Sequence, residues 1–146
     1  MTPSFDLVPI KVKNGFVVGR VYVRMVRAGI RTYYNIYDYK KKCNVMLNVF
    51  YRNSAIAIAE AYNVDSNNID KLKLMEEEYS NNYIEMTHFR YLYHKTQDDH
   101  KQNIYETRFD GYQTKCIEIR NKIDQFILDP ANNFQCARVI NKANED

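Results

Sequence analysis

The sequence predicts an α+β domain in which a small antiparallel sheet of three to four N-terminal strands packs against a C-terminal set of helices. Two observations predict this class. Apolar and polar side chains alternate between Ile10 and Tyr51, which is typical of half-buried strands, and from Ser54 onward the apolar residues recur at helical spacing. A chain of 146 residues has the length of one domain. We therefore expect residues 1–146 to form a single domain.

Electric charge divides the chain at nearly the same point. Residues 1–52 contain ten Lys or Arg and two Asp, a local net charge of +8. Residues 53–146 contain eleven Lys or Arg and sixteen Asp or Glu, a local net charge of −5. Because a basic surface attracts polyanions, we expect the basic, β-rich part to contact a partner and the acidic, helical part to support it.

The first predicted strands form a hairpin. Asn14 and Gly15 supply two positive φ angles for a tight turn, and the alternation continues on both sides of it. In this register one face is apolar and carries Ile10, Val12, Val17, Val21, Val23 and Met25. The other face is basic and carries Lys11, Lys13, Phe16, Val18, Arg20, Tyr22 and Arg24.

Two further strand segments complete the predicted sheet. After a turn at 27–29, the segment from Ile30 to Tyr39 alternates again, and Arg31, Tyr33 and Tyr37 fall on the basic face. The segment from Val45 to Tyr51 is apolar and rich in strand-forming residues. The pattern therefore predicts one apolar face and one basic, tyrosine-bearing face.

Helical spacing begins after Ser54, which is a good N-cap. We expect helices over 55–62, 67–78 and 80–95, an exposed connection over 96–103, a long helix that ends before Pro130, and a short helix over 134–140. The long helix has an apolar seam at 4, 3, 4, 3 spacing, formed by Tyr112, Cys116, Ile119, Ile123 and Phe126. This seam either packs on the inner sheet face or associates with a second copy to give a homodimer.

The basic sheet face is the first candidate site. Nucleic-acid platforms combine cations, which neutralise phosphates, with aromatic rings, on which bases stack. The predicted face has both ingredients, and Lys40-Lys41-Lys42 extends it. Its candidate binding residues are Lys11, Lys13, Arg20, Tyr22, Arg24, Arg31, Tyr33 and Tyr37. Alternatively, a half-exposed sheet simply alternates charged and strand-forming residues, or a later helix covers this face.

A second candidate is the helix pair from Ser54 to Met75, with its pattern in the segment from Ile58 to Leu72. Ala59 permits two helices to approach closely, Asn63 suits a tight left-handed turn, and Val64, Ile69 and Leu72 are apolar. This pattern resembles the helix-turn-helix motif of DNA-binding proteins. The resemblance implies that the second helix enters the major groove and presents Asn67, Asn68 and Lys71 to the DNA. The alternative is an ordinary pair of helices that packs on the sheet.

Enzyme signals are weak in comparison. The six-residue spacing of His88, His94 and His100 places these side chains on different faces of a helix. Asp38-Tyr39-Lys40 resembles the Asp-x-Lys of metal-dependent nucleases, although such sites need further carboxylates for Mg²⁺. The chain has no glycine-rich phosphate loop, and we expect no catalytic residues, no metal site and no cofactor.

Composition suggests where the protein works. No apolar stretch is long enough to span a membrane, the N-terminus lacks the pattern of a secretion signal, and three widely spaced cysteines fit no disulfide framework. We therefore expect an intracellular protein, cytoplasmic or nuclear, with no membrane partner. Sixteen Asn, thirteen Tyr and no Trp would follow from AT-rich codons, which suggests a viral, phage or parasite gene.

These features lead to three hypotheses about function. The first is a nucleic-acid-binding protein, regulatory and of viral origin, that binds DNA or RNA through the basic sheet face with or without the helix-turn-helix. The second is a non-enzymatic protein–protein interaction module, because Tyr and Arg are enriched at binding hot spots. The third is a metal-dependent nuclease.

Overall fold

The computed structural model describes residues 7–140, which form a five-stranded antiparallel sheet followed by three long helices. The sheet is a meander, in which each strand pairs with the next along the chain. Its strands are β1 (Ile10–Val12), β2 (Gly15–Val18), β3 (Val21–Ala28), β4 (Arg31–Asp38) and β5 (Cys43–Val49). The helices are α1 (Arg52–Asn63), α2 (Asn68–Lys95) and α3 (Asp99–Leu128). The predicted α+β class is confirmed, but the sheet has five strands, not three to four.

A tight turn at Gly19 and Arg20 accounts for the additional strand. Gly19 has a φ of 59°, and Val18 pairs directly with Val21 across the turn. Residues that pair across a hairpin point to the same face, so an overlooked turn exchanges the faces of all residues on one side of it. The predicted faces are therefore wrong for the first two strands. Ile10, Val12 and Val17 lie on the face of Tyr22 and Arg24, whereas Lys11, Phe16 and Val18 lie on the face of Val21 and Val23.

Helix α1 packs on one face of the sheet, which we call the covered face. The buried side chains there include Val18, Val21, Val23 and Ile36, each with no exposed surface. Four alanines at alternate positions of α1 are also buried, and because residues two apart point to nearly opposite sides of a helix, their small side chains let neighbouring elements approach α1 on more than one side: Ala55, Ala57, Ala59 and Ala61. Burial of this apolar surface is the main source of stability in such a layer.

Asn63, the last residue of α1, connects this helix to the turn between β2 and β3. Its buried side-chain amide donates hydrogen bonds to the backbone oxygens of Val18 and Ala59, both at 2.8 Å. The amide oxygen accepts a hydrogen bond from the backbone N–H of Arg20 at 3.2 Å. The left-handed residue between α1 and α2 is Asp65, with a φ of 55°, so the prediction that Asn63 forms this turn was wrong.

Helices α2 and α3 form a long antiparallel pair. The predicted break near Ser80 is absent. Helix α3 begins at Asp99, within the expected connection over 96–103, and continues through Gly111. Asp98 caps α3 by accepting hydrogen bonds from the backbone N–H groups of His100 and Lys101, at 2.9 and 3.1 Å. Because the two helices pack against each other, they stay helical even at residues that are weak helix formers on their own.

The apolar seam of α3 faces the other helices. Cys116, Ile119 and Ile123 are buried in the core, and Phe126 packs against it. In the described residues α3 packs mainly on α2 and less on α1, so the predicted core helix is confirmed but its main neighbour is α2 and not the inner sheet face. Because Cys116, Ile119 and Ile123 are already buried within this chain, the predicted self-association through the seam was wrong, and the homodimer itself stays a prediction.

Two buried carboxylates hold the start of α1 and the C-terminal segment in place. Glu76 of α2 accepts hydrogen bonds from the backbone N–H groups of Phe50 at 2.9 Å and Tyr51 at 3.4 Å. Burial raises the pKa of Glu76 to about 7, against the effect of these hydrogen bonds. Glu60 of α1 accepts hydrogen bonds from the backbone N–H groups of Gln135 and Cys136, at 2.7 and 2.8 Å. Both carboxylates therefore connect segments that are distant in sequence.

The C-terminal segment follows α3 through a single 3-10 turn at Pro130–Asn132. Residues 137–140 are helical, within the region where a short helix is predicted. Across residues 7–140, no helix is long and apolar enough to cross a membrane.

Candidate nucleic-acid interface

The face of the sheet opposite α1, which we call the open face, carries all three tyrosines predicted to bind. Tyr22 pairs with Tyr37 and Val26 pairs with Tyr33 in neighbouring strands, while Arg24 pairs with Asn35. Because directly paired residues share a face, Tyr22, Arg24, Tyr33 and Tyr37 lie together on the open face. In the described residues, α1 is the helix that packs broadly on the sheet, and it does so on the covered face.

Three tyrosine rings form a cluster near one end of the open face. The ring of Tyr39 stacks on Tyr22, with centroids 5.9 Å apart and planes 19° apart, and meets Tyr37 edge to face at 5.6 Å. The hydroxyl of Tyr22 donates to the backbone oxygens of Lys13 and Asn14, at 3.1 and 3.3 Å, which fixes the ring. Tyr39 is 54% exposed. We call Tyr22, Tyr37 and Tyr39 the tyrosine cluster.

Tyr39 was missing from the residues predicted to bind, although the sequence contains a signal for it. Tyr33, Asn35 and Tyr37 alternate outward along β4, and Tyr39 continues the same alternation one residue past the strand. Because the predicted alternation already runs to Tyr39, the same pattern places this ring on the open face.

Exposed cations lie on both sides of the tyrosine cluster along the strand direction. Arg24 follows Tyr22 by two residues on the open face and is exposed. Beyond Tyr39, the turn between β4 and β5 contains Lys40, Lys41 and Lys42, all exposed. Lys13, in the turn between β1 and β2, is exposed as well. These cations are the groups that could contact phosphates around the rings.

Asp38 organises the lysine turn from beneath. Its carboxylate accepts hydrogen bonds from the backbone N–H groups of Lys40 at 2.9 Å and Lys41 at 3.1 Å, and from the Tyr62 hydroxyl at 2.6 Å. The hydrogen bond from Tyr62, helped by these backbone donors and the nearby charge of Arg20, lowers the pKa of Asp38 to about 2. Asp38 is therefore a buried, ionised carboxylate whose oxygens are both occupied by hydrogen bonds from the protein.

The charge of the sheet surface has one sign. Residues 7–52 contain ten Lys or Arg, and their single carboxylate, Asp38, has no exposed surface. Seven of the ten cations are exposed: Lys11, Lys13, Arg24, Arg27, Lys40, Lys41 and Lys42. Every exposed charged side chain in this part of the protein is therefore positive.

Two predicted cations lie elsewhere than expected, and a third lies on the predicted face but contacts α2. Lys11 pairs with Phe16, so it belongs to the covered-face side of β1, although it is exposed. Arg20 lies in the overlooked turn, where its Nε is 3.4 Å from Asp38 and its guanidinium is 5.6 Å from the Tyr62 ring centroid. Arg31 donates hydrogen bonds to the Thr87 hydroxyl at 2.8 Å and to a backbone oxygen of α2 at 3.3 Å. Arg20 and Arg31 therefore serve internal contacts.

Tyr33 lies at the margin of the open face, away from the tyrosine cluster. Its ring contacts Phe50 at 6.2 Å, and Phe50 contacts Tyr83 of α2 at 4.7 Å. Together with Arg31, these rings join the sheet to α2. The face available to a partner is thus centred on Tyr22, Arg24, Tyr37 and Tyr39.

The residues suggested by the helix-turn-helix resemblance lie at the beginning of α2. Asn67 and Lys71 are exposed, and Asn68 is half-buried. They follow α1 directly, so they belong to the helical part and not to the open face. The exposed carboxylates of Asp65 and Asp70 lie beside them in sequence. DNA reading by this helix pair stays a prediction.

The carboxylate on which the nuclease hypothesis depends, Asp38, is engaged in other contacts. Both oxygens of the Asp38 carboxylate accept hydrogen bonds from protein donors. Within the part of the chain that the structure describes, no three His, Cys, Asp or Glu side chains are grouped so that they could hold a metal ion.

Comparisons of the chain with protein-family models, with curated proteins and with solved structures found no match.

Proposed function

We propose that this protein binds nucleic acid, DNA or RNA, through the open face of its sheet. The observation that carries the proposal is the charge of residues 7–52, whose exposed charged side chains are all positive while the single carboxylate is buried. A polyanion that approaches this surface meets no exposed like charge there. The tyrosine cluster beside these cations adds rings on which bases can stack.

The expected affinity depends mainly on phosphate contacts. Lys13, Arg24 and the three lysines of the 40–42 turn surround the cluster, and each phosphate neutralised by such a cation contributes a slope of about −0.7 to −0.9 to the dependence of log K on log salt. Binding should therefore weaken steeply as salt rises. A regulatory role, a viral origin and an intracellular location are further hypotheses that rest on composition.

A mobility-shift titration with DNA and RNA at two salt concentrations tests the proposal. The informative variant replaces Lys40, Lys41 and Lys42 with Ala. Its matched control replaces Lys95, Lys101 and Lys115, three exposed lysines of α2 and α3, and so removes the same charge elsewhere. We expect the first variant to bind more weakly with a shallower salt slope, and the control to bind nearly as well as the wild type. Absence of binding by the wild type at low salt would refute the proposal.

A second candidate function is docking of another protein on the same face. The observation in its favour is the apolar edge of the open face, where Ile10 is 64% exposed and Val12 lies beside it. Pull-downs from lysate with and without nuclease, using wild type and a variant with Tyr22 and Arg24 replaced by Ala, separate the two functions. Partner recovery that survives nuclease treatment and is lost in the variant would favour protein docking.

The nuclease hypothesis has a direct test as well. Incubation of the wild-type protein with DNA or RNA in the presence of Mg²⁺ or Mn²⁺ would reveal cleavage products if this hypothesis were correct. We expect intact nucleic acid.

A further inference from the structure

The tyrosine cluster offers an aromatic ring face to a ligand. Tyr22 is fixed by its hydroxyl, which donates to backbone oxygens of the β1–β2 turn, and the Tyr39 ring stacks on it at 5.9 Å. Since Tyr39 is 54% exposed, a further flat ring can stack on its outer side and continue the arrangement. Ordered rings need little additional conformational restriction when such a ligand binds.

Base stacking on such a ring requires an unpaired base. In a duplex the faces of the bases are stacked on their neighbours, and a protein reaches only the base edges through the grooves. Single strands can splay their bases, and proteins recognise these by stacking them on aromatic side chains. The cluster can therefore stack on the bases of a single strand, whereas a duplex offers it no free base face.

The width of the sheet points in the same direction. Neighbouring strands lie about 4.8 Å apart, so the five strands span roughly 19 Å between the two edges. The major groove of DNA is about 12 Å wide and admits a helix or a two-stranded ribbon. A face of five β-strands cannot enter that groove, but an extended single strand of nucleic acid can lie on the face.

The exposed cations of the open face lie where the phosphates of a single-stranded nucleic acid would need them. Along the strand direction, the cluster lies between Arg24 on one side and the 40–42 lysine turn on the other. Arg24 is two residues, about 7 Å, from Tyr22. A nucleotide stacked on the cluster therefore has cations on both sides for its flanking phosphates.

We infer that the open face binds a single-stranded polynucleotide in preference to a duplex, with an unpaired base stacked on Tyr39. This inference rests on the proposed function and names the form of its ligand. Because each base stacked on an aromatic ring adds to the affinity for a single strand, removing the Tyr39 ring should lower affinity at least about fivefold.

The experiment compares fluorescence anisotropy of labelled 20-nucleotide single strands, DNA and RNA, with that of the corresponding duplexes at one salt concentration. We expect at least one of the two single strands to bind about tenfold or more tightly than its duplex. Tyr39→Ala should lose at least about fivefold in affinity for that strand, whereas Tyr39→Phe, which keeps the ring, should match the wild type. Tyr91→Ala is the matched control, because Tyr91 is 48% exposed with Lys95 over its ring at 5.6 Å, but lies on α2.

The outcomes separate this inference from the proposed function. Duplex affinity within tenfold of single-strand affinity, or greater, would overturn the preference for single strands and leave nucleic-acid binding intact. Unchanged single-strand affinity in a folded Tyr39→Ala variant would likewise overturn the stacking. Failure of every strand and duplex to bind would reject the proposed function together with the inference.

Discussion

The two faces of the sheet are built from alternate residues of the same strands, yet they differ in chemistry and in accessibility. On the covered face, Val23 and Ile36 pair directly and have no exposed surface. Tyr22, just before Val23 in β3, pairs with Tyr37, just after Ile36 in β4, on the open face, which α1 does not cover. Within residues 7–140, the covered face therefore holds the fold together, while no helix packs over the Tyr22 and Tyr37 part of the open face, and substitutions on the two faces should separate stability from binding.

The largest expected effect is on stability and comes from the covered face. Ile36→Ala removes a fully buried side chain and leaves a cavity, which should lower the free energy of unfolding by about 2–5 kcal/mol. Tyr39→Ala on the open side should cost no more than about 1 kcal/mol, since it loses only ring contacts at a half-exposed position. Urea denaturation of both variants measures the difference. Similar losses in the two would contradict the division between the faces.

A pH effect of similar size should arise from Glu76, on the helical side. Its pKa is raised to about 7 in the folded state, whereas the unfolded group has a value near 4.5. Between these values the folded state binds more protons, so stability falls as pH rises from about 4.5 to 7 and then levels off. The total change is on the order of 3 kcal/mol. Glu76→Gln cannot ionise, and urea denaturation at pH 5 and pH 8 should show a smaller difference between these pH values than the wild type does. An equal pH dependence in both proteins would contradict this assignment.

A smaller loss of stability is expected from Asn63→Ala. This change leaves the backbone oxygen of Val18 and the backbone N–H of Arg20 without their side-chain partner, at a cost of about 1–3 kcal/mol. Since Asn63 connects α1 to the β2–β3 turn beneath the covered face, nucleic-acid affinity at a temperature where the variant is folded should change little. Thermal unfolding and a binding titration test the two halves of this prediction. A loss of affinity without a loss of stability would place Asn63 in the interface.

The smallest expected effect sharpens the comparison between sheet and helices. Asn67→Ala and Lys71→Ala alter exposed residues at the start of α2, away from the open face. If the open face makes the main contact, the double variant should bind within about twofold of the wild type and keep the same sequence preference, apart from the modest loss of one cation. A loss of sequence preference in a DNA-binding titration would instead support the hypothesis that α1 and α2 act as a helix-turn-helix.

Local patterns were sufficient for part of the fold and of the candidate site. The alternation in β3 and β4 correctly grouped Tyr22 with Arg24, and Tyr33 with Tyr37, because side chains in a strand alternate regardless of what surrounds them. The first hairpin was also found, although its turn residues are Lys13 and Asn14, since Val12 pairs with Gly15. Helix boundaries were less predictable. Because α2 and α3 pack against each other, α2 continues past Ser80 and α3 past Gly111, where the local sequence favours a break.

The errors at the site have specific physical causes. Lys11 was assigned to the wrong face and Arg20 to a strand because the turn at Gly19 and Arg20 was overlooked. Val18 and Val21 pair across this turn and share a face, so every residue before the turn lies on the face opposite to the one that unbroken alternation predicts. Arg31 was assigned to the correct face, but its contact with Thr87 joins residues 56 positions apart, and no local pattern reports such a contact.

The amino-acid sequence by itself determined that this protein has a basic, strand-forming half with tyrosines between its cations and an acidic, helical half. Strand alternation and charge are properties of neighbouring residues, so they can be read without the fold. The tertiary structure decided which face is open, because that depends on α1 packing over Val18, Val23 and Ile36 and on Asn63 bonding to a turn 45 residues earlier. It also decided that Tyr39 joins Tyr22 and Tyr37, since rings from neighbouring strands meet only when the strands pair.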